Sequence, residues 1–198
     1  MSEPHRIPGW FTFQPVYEWI AENAPPGGLL VEVGVFCGRS LAFLADKRGH
    51  DCRVVGVDTF TGSPEFGTMV KAADGTAFPD WPTGTLARMA IEHLSRAGLY
   101  PERVQLVASD SVRAAGLFAD ESVWMVMLDG AHDYESVKAD IAAWWPKVAP
   151  GGVLCGDDHD EGFPGVMQAV AEAFPAANVS GSAWAVRKVL APVPATRP

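Results

Sequence analysis

The sequence has few cysteines, no long apolar run and a shortage of basic side chains. Cys37, Cys52 and Cys155 are the three cysteines, and none forms a CxxC pair. We predict that they are small core residues rather than disulfides or zinc ligands. No apolar stretch approaches the roughly 18 residues of a membrane span, and the first residues lack a signal-peptide pattern. We therefore expect a cytoplasmic protein that does not insert into membranes.

The charge balance argues against a nucleic acid as partner. The 198 residues include 15 Lys and Arg against 24 Asp and Glu, which gives a net charge of −9. A nucleic acid is usually bound by a basic surface, whereas the clustered charges here are acidic, at residues 157–161. We expect a small-molecule substrate, and the sequence leaves a homodimer open.

Short apolar runs alternate with longer helical patterns along the chain. Strands are predicted at residues 29–33, 53–57, 104–108, 123–128 and 152–155, and helices at 13–24, 39–47, 84–97, 111–118, 134–148 and 164–174. Most of these strands are apolar throughout, which is typical of parallel strands covered on both faces. The pattern predicts a doubly wound α/β sheet, and the turn at residues 181–182 predicts a final antiparallel hairpin.

One segment does not follow the alternation of strands and helices. Residues 59–83 are rich in glycine, proline and aromatic side chains and are long for a connection in a compact domain. We predict a single domain over residues 1–190, in which 59–83 is a lid or substrate loop; a self-packed Ω-loop is the alternative. Residues 191–198 contain three prolines and are predicted to be a disordered tail.

The first predicted strand runs into a glycine turn, VEVGVFCGRS, at residues 31–40. Gly34 and Gly38 allow the backbone to approach a ligand closely, and the next helix presents free N–H groups there. Their spacing departs from the GxGxxG dinucleotide fingerprint. Asp58 ends the second strand, where a carboxylate can accept hydrogen bonds from both ribose hydroxyls. A simple turn or cap is the alternative role for Asp58.

Polar residues also follow the third strand. Ser109, Asp110 and Ser111 stand where residues of such sheets border an adenine ring, and their side chains could meet its exocyclic amine. Asp110 also precedes a predicted helix, so an N-cap is an equal alternative for this residue.

Acidic side chains follow the fourth and fifth strands. Asp129 ends one strand, and Asp157 and Asp158 end the next. Adjacent parallel strands deliver these residues to the same edge, where the carboxylates repel one another unless a cation compensates. An all-oxygen set suits Mg²⁺, Mn²⁺ or Ca²⁺, and the lack of an evident Cys/His cluster disfavours zinc. The sequence therefore predicts a divalent metal site of these three residues.

His132 follows Asp129 by three residues, about one helical turn. A histidine beside a metal can remove a proton from a substrate hydroxyl near neutral pH. We predict that His132 is this general base; the alternative is an exposed histidine in a helix-capping turn. His159 and Asp160 are interpreted as a continuation of the acidic loop, although a further ligand is the other interpretation.

These residues resemble the class I S-adenosylmethionine-dependent methyltransferases. The resemblance covers about residues 29–174 and rests on VEVGVFCGRS, on VVGVDTF, and on LDGAHDYESVKADIAAWWPKVAPGGVLCGDDH. Within the family, it is strongest to cation-dependent O-methyltransferases of the catechol, caffeoyl-CoA and macrocin/mycinose types. The resemblance implies a Rossmann-like, seven-stranded, mostly parallel sheet with a C-terminal antiparallel strand. It also implies S-adenosylmethionine as cofactor and a divalent cation, with Mg²⁺ expected.

The resemblance assigns a role to each candidate residue. The residues that match the methionine part of the cofactor are Glu32, Gly34, Phe36 and Ser40; those that match its ribose site are Asp58 and Thr59, and those that match its adenine edge are Ser109, Asp110 and Ser111. The metal ligands match Asp129, Asp157 and Asp158, and Asp129 also matches a cofactor residue. The catalytic base matches His132. Many relatives have Asn in place of Asp158. Catechol-type and caffeoyl-type enzymes have a lysine at the offset of His132, whereas macrolide-sugar enzymes use histidine. The implied reaction is O-methylation of a sugar or other vicinal diol in natural-product biosynthesis, with catechols left open.

Two other functions are compatible with this kind of sheet. One is an NAD(P)-dependent oxidoreductase, against which the glycine spacing and the acidic set both argue. The other is a non-catalytic protein that binds S-adenosylmethionine, against which the complete set Asp129, Asp157 and Asp158 argues. Stabilisation by S-adenosylhomocysteine but not by NAD(P) separates the methyltransferase from the oxidoreductase.

Overall fold

The computed structural model describes residues 6–62 and 84–189. In these residues helices and strands alternate along the chain. They are α1 (Gln14–Asn23), β1 (Leu29–Val33), α2 (Arg39–Arg48), β2 (Arg53–Asp58), α3 (Thr85–Arg96), β3 (Val104–Ala108), α4 (Ser111–Ala115), β4 (Val123–Leu128), α5 (Tyr134–Trp144), β5 (Val148–Gly156), α6 (Pro164–Ala173), β6 (Asn178–Ser180) and β7 (Ala183–Arg187). A 3₁₀ turn, Trp145–Lys147, joins α5 to β5.

The strands form one sheet in the order β3-β2-β1-β4-β5-β7-β6. Strands β1 to β5 are parallel, whereas β7 runs antiparallel to both β5 and β6. This arrangement confirms the predicted seven-stranded, mostly parallel sheet with antiparallel C-terminal strands. The strand order reverses between β1 and β4, which is where such sheets open a crevice at the carboxyl ends of the strands.

Two hydrophobic cores cover the two faces of the sheet. Successive strand residues point to opposite faces, so Leu30 belongs to the core that packs α1, α2 and α3, and Val31 to the core that packs α4, α5 and α6. Both side chains are 0% exposed. Because helices bury both faces of the sheet, the strands are apolar throughout, as the sequence indicated.

Strand β5 begins earlier than predicted, at Val148 instead of residue 152. Pro150, Gly151 and Gly152 are residue types that typically end a helix and form a turn. In the structure Val148 pairs with Val123 of β4, and the register then shifts through an irregularity. Gly151 N–H donates to the Lys188 carbonyl at 2.8 Å, so pairing on both sides overrides the local turn signal.

Cys37, Cys52 and Cys155 are free and buried, which confirms their predicted place in the core. No helix within the described residues has the length and hydrophobicity of a membrane span. Residues 63–83 of the predicted lid and the predicted tail at 191–198 lie outside the described residues, so both remain predictions.

Candidate functional site

A cavity of about 760 Å³ lies at the carboxyl ends of the parallel strands. Its volume is typical of sites that bind small molecules, which are about 300–1,000 Å³. The predicted site residues that line it are Gly34, Phe36, Ser40, Asp58, Thr59, Ser109, Asp110, Ser111, Asp129, His132, Asp157 and Asp158. The structure therefore gathers residues from five strand ends around one space, and only Glu32 of the predicted set is absent from the wall.

The glycine turn after β1 lies directly against the end of β4. Asp129 N–H donates to the Val33 carbonyl at 2.8 Å, and Gly34 N–H donates to the Val57 carbonyl at 2.9 Å. Gly34 has φ +93°, and a Cβ built on it would lie 1.8 Å from the Asp129 carbonyl oxygen. No other residue type fits here, so the glycine is what allows these two walls of the cavity to meet.

Asp58 fastens the glycine turn to the end of β2. One carboxylate oxygen accepts hydrogen bonds from the N–H groups of Val35 at 2.8 Å and Phe36 at 2.9 Å, and the other accepts from Phe60 N–H at 2.7 Å. A carboxylate can accept about four hydrogen bonds, so Asp58 keeps capacity toward the cavity that it lines. Its turn role is therefore observed, and its ribose role stays a prediction.

Glu32 lies behind the cavity wall, and its predicted contact with the cofactor remains a prediction. Its side chain is 0% exposed; one carboxylate oxygen accepts from the Tyr17 hydroxyl at 2.5 Å and the other from the Ser40 hydroxyl at 2.6 Å. Burial raises the pKa of Glu32 to about 7, although both hydrogen bonds oppose the shift. Because both oxygens are bound inside the core, Glu32 positions Ser40, which does line the cavity.

At the β3 end of the cavity, Asp110 has the capping role that the sequence left open. Its carboxylate accepts from Arg113 N–H at 2.8 Å and caps α4. Ser111 accepts a hydrogen bond from Trp144 Nε1 at 2.8 Å. Asp140 of α5 also lines the cavity here, and sequence reasoning missed it. A signal existed, since Ser136, Asp140 and the buried Trp144 are four residues apart on one helix face.

At the opposite end, Asp129, Asp158 and His132 converge. Their potential ligand atoms all lie within 4.8 Å of one another, and His132 Nε2 is 2.9 Å from an Asp158 carboxylate oxygen. The pKa of Asp129 is raised well above its usual value, first by burial and then by the negative charges of Asp157 and Asp158. An uncompensated group of carboxylates is the electrostatic environment that a cation stabilises.

Asp157 is adjacent to that cluster but its carboxylate is held separately. One oxygen accepts from the Ser182 hydroxyl at 2.6 Å, and the other accepts from the Thr12 hydroxyl. The side chain is 8% exposed. The structure thus brings two of the three predicted ligands together with His132 and fixes the third beside them. Thr12 and Ser182 come from distant parts of the chain, and no local pattern in the sequence marks either.

His132 is not an exposed capping residue. Its side chain is 9% exposed, and its ring centroid lies 4.6 Å from that of Phe163. The cap of α5 is Asp133, whose carboxylate accepts from Ser136 N–H at 3.0 Å. His132 therefore faces the cavity, as the prediction of a general base requires. By contrast, His159 is not part of the cavity wall, in agreement with a loop role.

The segment before α1 forms another wall that the sequence did not predict. Pro8, Gly9, Trp10, Thr12 and Phe13 line the cavity. Arg39 donates a hydrogen bond to the Gly9 carbonyl at 2.6 Å, and the rings of Trp10 and Phe36 are 5.8 Å apart. The segment thus spans from the glycine turn, at Gly9, to the acidic end, at Thr12.

Comparison with known proteins identifies the family. A family model described as a methyltransferase domain matches residues 31–159, more than half of the chain. A search of curated proteins finds no match. The match to a methyltransferase model argues against the NAD(P)-dependent oxidoreductase considered above.

Several solved methyltransferase structures share the fold. CalS11, a calicheamicin methyltransferase, is 22% identical with a TM-score of 0.63, over 88% of this chain and 76% of that one. The O-methyltransferase NovP is 20% identical with a TM-score of 0.64, over 89% and 77%. A putative caffeoyl-CoA O-methyltransferase from Staphylococcus aureus is 13% identical with a TM-score of 0.63, over 92% and 86%. With this sheet and the family match, the chain belongs to the methyltransferase-domain family and is an enzyme of the class I S-adenosylmethionine-dependent type.

Proposed function

We propose that the protein transfers the methyl group of S-adenosylmethionine to a hydroxyl oxygen of a small molecule that carries vicinal hydroxyl groups, such as a sugar unit of a natural product. The observation that carries the proposal is the convergence of His132 with Asp129 and Asp158 on one wall of the cavity. The glycine turn at Gly34 and the carboxylate of Asp58 line the same cavity. A base and a cofactor-binding turn around one space are what methyl transfer to oxygen requires.

The acidic end of the cavity has the properties of a divalent cation site. Asp129 and Asp158 offer oxygen ligands, and Asp157 lies beside them, already oriented by two hydroxyl groups. Oxygen ligands favour hard cations such as Mg²⁺. The raised pKa of Asp129, caused by burial and by Asp157 and Asp158, supports a bound positive charge as the missing compensation. Asp129, Asp157 and Asp158 would hold the cation.

The residues of this chain act mainly by positioning and by moving one proton. When bound, the cofactor supplies an electrophilic methyl group and the cation lowers the pKa of a coordinated hydroxyl. As the new oxygen–carbon bond would form and the carbon–sulfur bond would break, His132 would accept the proton of the acceptor hydroxyl at Nδ1, because Nε2 lies 2.9 Å from an Asp158 carboxylate oxygen and carries the hydrogen of that contact. Asp158 would thereby stabilise the imidazolium. The wall around Gly34 and Asp58 holds the methyl donor in line.

The nature of the acceptor is supported by chemistry and by relatives. One CalS11 structure is described as a TDP-rhamnose 3′-O-methyltransferase, which is a sugar enzyme. His132 is the kind of base that macrolide-sugar enzymes use. Phe163, whose ring lies beside His132, provides an apolar face for the ring of an acceptor. A catechol is the second acceptor class, since it also presents two adjacent hydroxyl groups.

The role of His132 is tested by His132→Ala with His159→Ala as the matched control. Nucleotide-linked sugars and catechols are offered as acceptors, and S-adenosylhomocysteine formation is measured. We expect His132→Ala to lower kcat by about 10²–10⁴-fold and to leave the affinity for S-adenosylhomocysteine nearly unchanged. His159→Ala, which alters a histidine outside the cavity wall, should retain full activity. Equal activity of His132→Ala and the wild type would contradict the assignment of the base.

The cation is tested separately with Asp157→Ala and with protein stripped of metal. We expect Asp157→Ala and the stripped wild type to be inactive, and added Mg²⁺ or Mn²⁺ to restore only the wild type. Full activity in excess EDTA after thorough stripping would remove the cation from the mechanism. In that case the His132 and Asp158 pair would act alone as the proton acceptor.

A further inference from the structure

Asp140 is a buried acid on the cavity wall that the proposed mechanism does not use. It lies on α5 and is 7% exposed. Burial raises its pKa to about 6, and a hydrogen bond with Ser111 opposes that shift. A buried acid that borders a ligand cavity needs hydrogen-bond donors or a positive charge beside it. The residues of α5 that line the cavity are Ser136, Ala139 and Asp140, and none of them is positively charged.

The neighbours of Asp140 fix the direction of its hydrogen bond. Trp144 Nε1 is 2.8 Å from the Ser111 hydroxyl oxygen, and an indole N–H can only donate. Ser111 therefore accepts from Trp144, which leaves its own hydrogen available to the Asp140 carboxylate, whose pKa it lowers. Because a carboxylate accepts about four hydrogen bonds, this arrangement holds Asp140 in place and leaves it acceptor capacity in the cavity.

The position of Asp140 in the cavity points to a particular part of the cofactor. Trp144, one turn further along α5, donates to Ser111 at the start of α4, and Asp110, which follows β3, is the first charged group that adds to the raised pKa of Asp140, so Asp140 belongs to the β3 and α4 end. The acidic cluster of Asp129 and Asp158 follows β4 and β5 instead. Asp110 already uses one of its carboxylate oxygens to cap α4, accepting from Arg113 N–H at 2.8 Å.

We infer that Asp140 determines the specificity of this pocket for an aminopurine, by accepting a hydrogen bond from the exocyclic amino group of the adenine. The polar side chains that line the cavity after β3 and along α5 are the carboxylates of Asp110 and Asp140 and the hydroxyls of Ser109, Ser111 and Ser136. Carboxylates select a ligand group that donates, as an amino group does, and disfavour a carbonyl at the same ring position. The inference rests on the adenosine cofactor of the family and is independent of the proposed acceptor and cation.

The experiment compares two ligands that differ at this ring position. S-Adenosylhomocysteine carries the amino group, and S-inosylhomocysteine carries a carbonyl in its place and a hydrogen on the adjacent ring nitrogen. Calorimetric affinities are measured for the wild type, Asp140→Asn and Asp140→Ala. The wild type should prefer S-adenosylhomocysteine by about 10- to 100-fold, the range for a hydrogen bond to a charged group. Asp140→Asn should abolish this preference, because an amide can also donate to the carbonyl.

Three comparisons make the result specific. Asp140→Ala removes a costly buried acid and introduces a strong helix former, so it is expected to fold and to lose the preference as well. Asp133→Asn changes an exposed acid at the start of the same helix and keeps a good N-cap; its preference should equal that of the wild type. Asp110→Asn tests the competing carboxylate and should keep most of the preference.

The possible results separate the inference from the family assignment. Equal weakening of both ligands in Asp140→Asn and Asp140→Ala would show a purely structural role and overturn the inference. Loss of the preference in Asp110→Asn alone would assign the amino group to Asp110 and overturn it too. A wild type that binds neither ligand would contradict the adenosine cofactor itself, and the specificity inference with it.

Discussion

Among the glycines that the structure describes, Gly34 is the one whose built Cβ would lie nearest to another atom. Its φ of +93° and the 1.8 Å between a built Cβ and the Asp129 carbonyl oxygen both exclude a side chain. Gly84 has a left-handed conformation, with φ +83° and ψ −1°, but has nothing within 4 Å of a built Cβ. A comparison of the two glycines therefore distinguishes the cost of a positive φ from the cost of a steric clash with neighbouring atoms.

Alanine substitution at these glycines should give unequal losses of stability. Gly84→Ala should lower the free energy of unfolding by about 1–2 kcal/mol, the cost of a left-handed alanine. Gly34→Ala should lower it by about 4 kcal/mol or more, because it also forces the ends of β1 and β4 apart. Urea denaturation measures both values, and S-adenosylhomocysteine binding should fail only in Gly34→Ala. Similar losses in the two variants would contradict the close approach as the cause.

At the residue scale, the sequence predicted those side chains that follow strands. Asp58, Asp129 and Asp158 reach the cavity because the carboxyl ends of parallel strands share one edge. Glu32 lies one residue before the end of β1, so its side chain points to the face of the sheet that packs α1, where Tyr17 binds it. Thr12 was missed because its partner, Asp157, is 145 positions away in the chain.

At the element scale, the cavity depends on pieces outside the β–α alternation. The segment before α1 supplies Thr12, and the turn between β6 and β7 supplies Ser182; together they bind both oxygens of Asp157. The apolar runs of the sequence predicted that the strands of the sheet exist. The early start of β5 could not be predicted, because it is determined by pairing with β4. The segment before α1 and the turn between β6 and β7 therefore orient Asp157, a side chain of the proposed cation site.

Removal of the Thr12 hydroxyl should weaken cation binding. Thr12→Val keeps the shape of the side chain but leaves one Asp157 oxygen without its donor. We expect a loss of Mn²⁺ affinity of about 10-fold or more, the size of effects from groups that orient metal ligands. Calorimetry with Mn²⁺ is performed on protein saturated with S-adenosylhomocysteine, so that the cofactor site is equally filled in all variants.

Thr12→Ser is the matched control, because it retains the hydroxyl. It should bind Mn²⁺ like the wild type, while Thr12→Val should not. If the two variants bind equally, the hydroxyl does not orient Asp157 for the cation. If the wild type itself binds no Mn²⁺, the cation part of the proposed function is wrong.

At the scale of the whole molecule, negative charge is concentrated at one edge of the sheet. The protein has a net charge of −9, and six carboxylates, those of Asp58, Asp110, Asp129, Asp140, Asp157 and Asp158, line one cavity. Arg39, the sole Lys or Arg among the described lining residues, donates to the Gly9 carbonyl. Such a site favours positively charged ligands, which a sulfonium cofactor and a divalent cation are.

Concentrated and buried acids also couple folding to pH. Burial raises the pKa of Glu32 from 4.5 to about 7 and that of Asp140 from 3.8 to about 6. The folded protein therefore keeps protons that the unfolded chain releases. A raised pKa of an acid contributes stability at low pH, and that contribution is lost as the pH rises from the unfolded to the folded value.

Glu32→Gln should remove the part of this dependence that Glu32 causes, because glutamine does not titrate and can still bond to Tyr17 and Ser40. Across the window from 4.5 to about 7, the wild type should lose about 3 kcal/mol of unfolding free energy through Glu32, since each pKa unit corresponds to about 1.4 kcal/mol. Urea denaturation of the ligand-free protein near both ends of the window measures the change. Glu22→Gln, which alters an exposed acid of α1, should follow the wild type. Parallel stability curves for Glu32→Gln and the wild type would mean that Glu32 is already charged in the folded core, held so by its two hydroxyl partners.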